Sequence, residues 1–230
     1  MADLGYHDLG VKVVSVKSER RIAVGVDLGK SNDPTAIAVI EKTVKGAEGE
    51  DGWYWAGRNQ WTQRKVIRYG LRALKRLPLG LDYVSQVQEV GEVLWRVPGD
   101  ADLIIDVTGV GAPVVDLFKT AGLKPVSVTI TAGDGETRVG HDEFRVSKLK
   151  LISQLEALLH AGEMVIAKDT QAGDMLFEEM KNFQRTVTQT GQTRFEGRVG
   201  KHDDLVLGTA IAAWWLARPL STISQIPTRF

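Results

Sequence analysis

Cysteine is absent from the 230 residues, which removes disulfide frameworks, thiolate nucleophiles and cysteine-ligated zinc or iron–sulfur centres together. Histidine is scarce, and the four residues His7, His141, His160 and His202 are scattered, so a histidine-rich metal centre is not expected. No stretch approaches the ~20 apolar residues of a membrane-spanning helix. The N-terminal stretch is broken by Asp3, His7, Asp8, Lys12, Lys17 and Glu19 and lacks the apolar core of a secretory signal. Net charge is missing too: 29 Lys and Arg balance 29 Asp and Glu, so any attraction to a polyanion must come from uneven placement. Internal repeats and low-complexity tracts are also lacking. The chain reads as a soluble intracellular protein, and any metal it uses is held by carboxylates.

What is present suffices for a core, since 43% of the residues are hydrophobic, and one or at most two compact domains are expected. Residues 21–29 (RIAVGVDLG) form a β-branched apolar run that delivers Asp27 at its end. The turn residues Asn32, Asp33 and Pro34 then return the chain as a second strand, 35–41. Residues 52–61 are expected as a third strand, with Trp53 and Trp55 on one face, and 65–77 as a strand rather than a helix. Apolar spacing predicts a helix over 83–97, a strand over 101–107, a helix over 112–121 and a strand over 124–130. A strand–helix–strand unit of this size implies parallel pairing. After a Gly/Asp loop come helices at 147–161 and 174–184, a hairpin across Thr190 and Gly191, and an apolar terminal helix at 204–217. The sum is an α/β chain with a mixed sheet.

Three acidic positions lie where burial alone would not put them: Asp27 in VGVDLG, Asp106 in LIIDVTG, and Asp203 with Asp204 opening an apolar helix. An unpaired buried carboxylate is costly. Each has an ordinary explanation, as a turn former before Gly29, a cap at Thr108–Gly109, or a helix N-cap. A shared site for a divalent cation accounts for all of them, because oxygen-only ligands suit Mg²⁺ or Mn²⁺.

The same residues carry a resemblance. VGVDLGKSNDPTAIAVIE at 24–41, LIIDVTGVGAPVVDLF at 103–118 and GKHDDLVLGTAIAAWW at 200–215 resemble, in order and spacing, the nuclease domain of viral large terminases. VSKLKLISQLEALLHAGEMVIA at 146–167 looks like the helix–strand segment those domains share. The resemblance implies a ribonuclease H-like mixed central sheet flanked by helices in a single domain over 21–218. Residues 1–20 would then be an extension or linker, and 219–230 a tail. It implies a DNA endonuclease that cuts concatemeric viral genomes during packaging in the host cytoplasm. Its catalytic and metal-binding acids would be Asp27, Asp106, Asp203 and Asp204, serving a two-metal-ion hydrolysis in which Asp27 bridges the ions. Consecutive helix residues project ~100° apart, so Asp204 is the expected direct ligand and Asp203 an outer or second-ion ligand. His202 is a candidate for orienting water or phosphate.

Double-stranded DNA is the implied substrate, with a packaging ATPase and a portal or small terminase subunit as partners. No G-x-x-x-x-G-K-[ST] loop is present, so translocation is expected to reside outside this chain. Two basic clusters fit DNA despite the neutral balance. Arg58, Arg64, Lys65, Arg68, Arg72, Lys75 and Arg76 fall in a stretch without an acid, and Lys181, Arg185, Arg194, Arg198 and Lys201 flank the expected hairpin. Either cluster is also explicable as a solvated face, as are Lys148 and Lys150, while Trp214 and Trp215 are expected in the core. Three rival readings remain on sequence: a RuvC-type junction resolvase, an actin- or sugar-kinase-like ATP-binding domain suggested by VGVDLGKSN, and a non-catalytic DNA-binding module.

Overall fold

Residues Glu19–Asp27 form a strand whose alternate side chains are buried on opposite sides, Ile22, Val24 and Val26 in one cluster and Ala23 in another. A strand buried on both faces belongs at the centre of a sheet covered by helices on both sides. The computed structural model describes residues 11–29, 33–166, 173–187, 193–197 and 203–219. In chain order its elements are β1 (Lys12–Val14), β2 (Glu19–Asp27), β3 (Ala36–Gly46), β4 (Trp53–Gly57), β5 (Gln60–Gln63), β6 (Lys65–Arg76), α1 (Tyr83–Arg96), β7 (Ala101–Asp106) and α2 (Ala112–Thr120). There follow β8 (Pro125–Thr131), β9 (Glu136–Arg138), β10 (Glu143–Ser147), α3 (Lys148–His160), β11 (Met164–Ile166), α4 (Gly173–Asn182), β12 (Phe183–Val187), β13 (Thr193–Gly197) and α5 (Asp204–Ala217).

The main sheet has eight strands in the order β11-β6-β3-β2-β7-β8-β10-β9. β2, β7, β8 and β10 run parallel, and β3 is antiparallel to both β2 and β6. One face packs on α3, α4 and α5 through Leu151, Leu155, Leu176 and Ile211; the other packs on α1 and α2 through Val87, Val90, Val114 and Phe118. The chain is therefore one α/β domain with a mixed sheet between two helical layers, as the sequence implied. Among the described residues no helix is long and apolar enough to cross a membrane.

α5 explains the placement of the site. It is apolar all round and almost entirely buried, as a helix enclosed by its own protein should be. It crosses β2 so closely that a Cβ at Gly25 would stand 2.2 Å from the Gly208 carbonyl oxygen and 2.9 Å from the Ala212 backbone nitrogen. Only glycine allows that approach, and the approach sets the start of α5 over the end of β2.

The strand expected over 65–77 is β6, the hairpin across Thr190 and Gly191 is β12–β13, and the crossover from β7 through α2 to β8 is parallel. Three details differ from the sequence reading. The strand expected over 52–61 is a hairpin, β4–β5, because Arg58 and Asn59 both adopt left-handed φ, 49° and 54°, and reverse the chain in two residues. The Gly/Asp loop after β8 contains β9 and leads into β10, short strands with only Phe144 and Val146 as apolar anchors. The segment before residue 21, expected as an extension or linker, supplies β1, which pairs with β5, and the first residues of β2.

Candidate metal centre

The register of the sheet aligns the chemistry. Arg76 of β6 pairs with Ala36 of β3, Ala36 with Asp27 of β2, Asp27 with Asp106 of β7, and Asp106 with Val128 of β8. Neighbouring strands lie ~4.8 Å apart, so this single row holds two carboxylates side by side at the carboxyl ends of parallel strands, with a guanidinium two strands away. Brought that close, two full charges repel by about 3 kcal/mol at an effective dielectric of ~20.

Asp106 is buried and fixed by its own turn. One carboxylate oxygen accepts the Thr108 backbone N–H at 2.8 Å and the Thr108 hydroxyl at 2.5 Å, and that hydroxyl accepts the Ile130 N–H at 2.7 Å. On the other side of Asp27, the first turn of α5 presents Asp203 and Asp204. Lys148, the first residue of α3, pairs with Asp203 at 2.6 Å. Arg76 reaches both oxygens of Asp204, through Nε at 2.8 Å and Nη2 at 3.3 Å, and also pairs with Glu179 of α4. Glu179 in turn accepts the backbone N–H groups of Leu205 and Val206 at 3.1 and 3.2 Å.

The electrostatics agree with the register. Burial pushes the Asp27 carboxyl well above the ordinary 3.8, and the charges of Asp106, Asp203 and Asp204 push it further, against the opposing pull of Lys148. The Asp106 carboxyl is raised as well, by burial, with the Thr108 hydrogen bonds, the Ile130 N–H and Lys148 acting the other way. Four carboxylates from β2, β7 and α5 thus bear on one point, and their mutual repulsion is the kind that a bound cation relieves.

The donor set fits a hard divalent ion: all oxygen, anionic, and anchored on two strand ends and a buried helix. Among the described residues no three acidic or imidazole side chains are gathered as tightly as coordination requires. Asp203 and Asp204 instead face Lys148 and Arg76.

Of the residues singled out in the sequence, Asp27, Asp106, Asp203 and Asp204 come together. Lys181 lies on the exposed side of α4, paired with Glu178 and over the Phe177 ring. Arg185 and Arg194 lie on β12 and β13 one register step apart, since Arg194 pairs with Thr186 and Arg185 with Phe195. Arg198, Lys201 and His202 fall outside the described residues. The first basic cluster is largely exposed, as a solvated face would be, with several members in surface pairs. Arg72 pairs with Glu41, Lys75 with Glu89, Arg68 donates to the Gly162 carbonyl, and Arg64 lies over Tyr54.

Arg76, the last residue of that cluster, belongs to the site, and so do Lys148, Glu179 and Thr108, none of which the sequence reading placed there. Lys148 and Lys150, expected as solvated helix positions, pair with Asp203 and Glu136. The available signal was position: Arg76 closes a strand that ends level with Asp27, and Lys148 directly follows the Ser147 cap.

No family model matches the chain, and no curated relative does either. Solved structures match its fold. The large terminase nuclease from thermophilic phage G20c with bound magnesium aligns with 91% of this chain and 95% of its own, at 18% identity and a TM-score of 0.56. The Thermus phage P74-26 large terminase nuclease domain aligns over 90% and 92%, at 17% identity and 0.53. A large terminase from a further thermophilic bacteriophage aligns over 90% of this chain but 43% of its own, at 12% identity and 0.53.

Proposed function

Because the chain has the ribonuclease H-like fold of phage large-terminase nuclease domains, we propose that it is a metal-dependent endodeoxyribonuclease that cuts concatemeric viral DNA during genome packaging. The observation that carries the reading is the convergence of Asp106, Asp203 and Asp204 on Asp27 at the carboxyl end of the central strands. The magnesium bound by a similarly folded terminase nuclease supports the use of a divalent ion by this chain. The donor chemistry favours Mg²⁺ or Mn²⁺, and four carboxylates are enough for a two-ion site.

Asp27 and Asp106 would hold the ions from strand ends, Asp204 would contribute from α5, and Asp203 would serve as outer or second-ion ligand. Ions bound there would supply activation of water and stabilisation of the leaving 3′ oxygen. Thr108 keeps Asp106 in one orientation through two hydrogen bonds. Lys148 and Arg76, paired with Asp203 and Asp204, balance the carboxylates when no ion is bound and would border the scissile phosphate. Hydrolysis by water needs no nucleophilic side chain, in keeping with a chain that contains no cysteine. His202 is placed by sequence beside Asp203 and is proposed to orient water or phosphate. Lys181, Arg185, Arg194, Arg198 and Lys201 are proposed to contact the DNA backbone around the β12–β13 hairpin. A packaging ATPase, with a portal or small terminase subunit, would supply translocation in the host cytoplasm.

The deciding experiment is a cleavage assay on linear duplex, plasmid, single-stranded and four-way-junction DNA with Mg²⁺, with Mn²⁺ and with chelator. Cleavage of linear and plasmid duplex that needs the ion and shows little sequence preference is the expected result. Selective cutting of junctions would move the reading to a resolvase, and ion-independent or absent cleavage would refute it.

A further inference from the structure

Asp203 occupies the N-cap position of α5 but makes no capping hydrogen bond through its side chain. The backbone N–H groups that an N-cap carboxylate ordinarily takes are those of the second and third helical residues, here Leu205 and Val206. Glu179 takes them from outside the helix, at 3.1 and 3.2 Å, through a single carboxylate oxygen. Its other oxygen pairs with Arg76, whose guanidinium also holds Asp204. The Glu179 side chain is only 9% exposed, so this is an enclosed link among α4, β6 and α5 and not a surface ion pair.

Had Asp203 capped its own helix, its carboxylate would point back at the backbone of α5. With the cap supplied by Glu179, Asp203 is turned to Lys148 and its charge bears on Asp27. Glu179 also competes with Asp204 for Arg76. A guanidinium shared between two carboxylates neutralises each less than one devoted to a single partner, so more of the Asp204 charge is left for a cation. We propose that Glu179 is a positioning residue for the metal centre, freeing Asp203 from capping and drawing Arg76 partly away from Asp204. This rests on the metal-nuclease reading above.

The test is Mn²⁺ binding by calorimetry, together with thermal midpoints, for the wild type, Glu179→Gln, Arg76→Gln and the double variant. Glutamine keeps a carbonyl oxygen for Leu205 and Val206 but cannot neutralise Arg76. Glu179→Gln is therefore expected to stay folded but to melt roughly 5–10 °C below the wild type for the broken enclosed ion pair, and to bind Mn²⁺ about tenfold more weakly, the size of effect that outer-sphere partners of metal ligands have. The double variant, with no guanidinium left to compete, is expected to recover most of that loss and to bind Mn²⁺ within about twofold of Arg76→Gln. Wild-type affinity in Glu179→Gln, or a loss that removing Arg76 does not recover, overturns the proposal. If Glu179→Gln alone does not fold, the comparison of Arg76→Gln with the double variant decides, and a much weaker double variant overturns it. A wild-type protein that binds no Mn²⁺ refutes the metal centre itself, and this inference with it.

Discussion

Lys148 and Asp203, 55 positions apart, meet with Nζ 2.6 Å from a carboxylate oxygen. Lys148 is the first residue of α3, whose N-terminus is capped by the Ser147 hydroxyl. A cation in the first turn opposes the helix dipole, at a cost of about 0.3–1 kcal/mol, so local helix preference does not explain it. The site does, since Lys148 also counters the upward shifts of the Asp27 and Asp106 carboxyls.

Replacing Lys148 with Gln is therefore expected to let both carboxyls rise further, moving the acid limb of the pH dependence of kcat/KM to higher pH. Activity should fall about 10- to 100-fold, and the thermal midpoint of the ion-free protein should fall, because the repelling carboxylates lose the ammonium that pairs with Asp203 and this outweighs the small dipole penalty in α3. Lys148→Arg should keep the acid limb near its wild-type position. An unmoved acid limb in Lys148→Gln would show that this ammonium acts on neither carboxyl.

Asp27→Asn is expected to abolish cleavage and to stabilise the ion-free protein, because an isosteric neutral group removes the repulsion at the centre of the cluster. The sign of its pH dependence follows from the shift. A carboxyl raised above 3.8 holds its proton more tightly in the folded state, so above that pH the native protein binds more protons than the unfolded chain. Stability then declines as pH rises through the folded-state value, and the loss is complete above it. Melting curves in chelator from pH 4 to 8 should show the variant's advantage widening with pH to several degrees, and saturating Mg²⁺ should narrow it by stabilising only the wild type. The comparison cancels the opposite contribution of Glu41, which is lowered chiefly by its hydrogen bond from Arg20. A gap that does not change with pH would mean that Asp27 is ionised as readily folded as unfolded.

The grouping of the four acids could be suspected from the sequence because each sits against an apolar run, inside a β-branched strand or opening a helix too apolar to be exposed, even though each also has an ordinary local explanation. Most element boundaries were legible for the complementary reason, since period and caps agree, as in α5, which runs over the residues the pattern predicts. Arg76, Lys148 and Glu179 were not. Arg76 is an ordinary basic residue at a strand end, the dipole penalty at Lys148 is too small to single it out, and their roles arise only from sheet register and from α3 and α4 packing beside α5. The β4–β5 turn was missed because its two central residues, Arg58 and Asn59, carry left-handed φ without being glycine, and the glycine stands one place earlier, at Gly57.

Gly25→Ala tests the placement of α5 without touching a charged group. The added methyl would stand 2.2 Å from the Gly208 carbonyl oxygen, a backbone atom that can yield only if the helix moves. Overpacking of this kind costs about 3 kcal/mol, or roughly 6–12 °C in a chain of this size. Mn²⁺ affinity should fall with it, because the displaced helix carries Asp203 and Asp204 away from Asp27. Gly91→Ala is the control, since a Cβ there meets nothing within 4 Å and α1 should gain slightly from the better helix former. Equal melting temperatures for the wild type and Gly25→Ala would refute the close crossing.

Replacing Arg194 and Arg198 together with Gln separates phosphate contact from catalysis. Arg194 lies on β13, and Arg198 follows that strand by one residue on the way to α5. If both meet the DNA backbone, each removed contact lowers the slope of log K against log salt by about 0.9 on duplex DNA. The double variant should thus bind more weakly at low salt, with a slope shallower by close to 2 and no change in sequence preference. Mn²⁺ affinity, which the proposal assigns to the carboxylates on β2, β7 and α5, should be unchanged. Measured binding isotherms from 50 to 300 mM salt decide the matter: a parallel line at the wild-type slope would return these two arginines to an ordinary solvated surface and leave DNA contact to other groups.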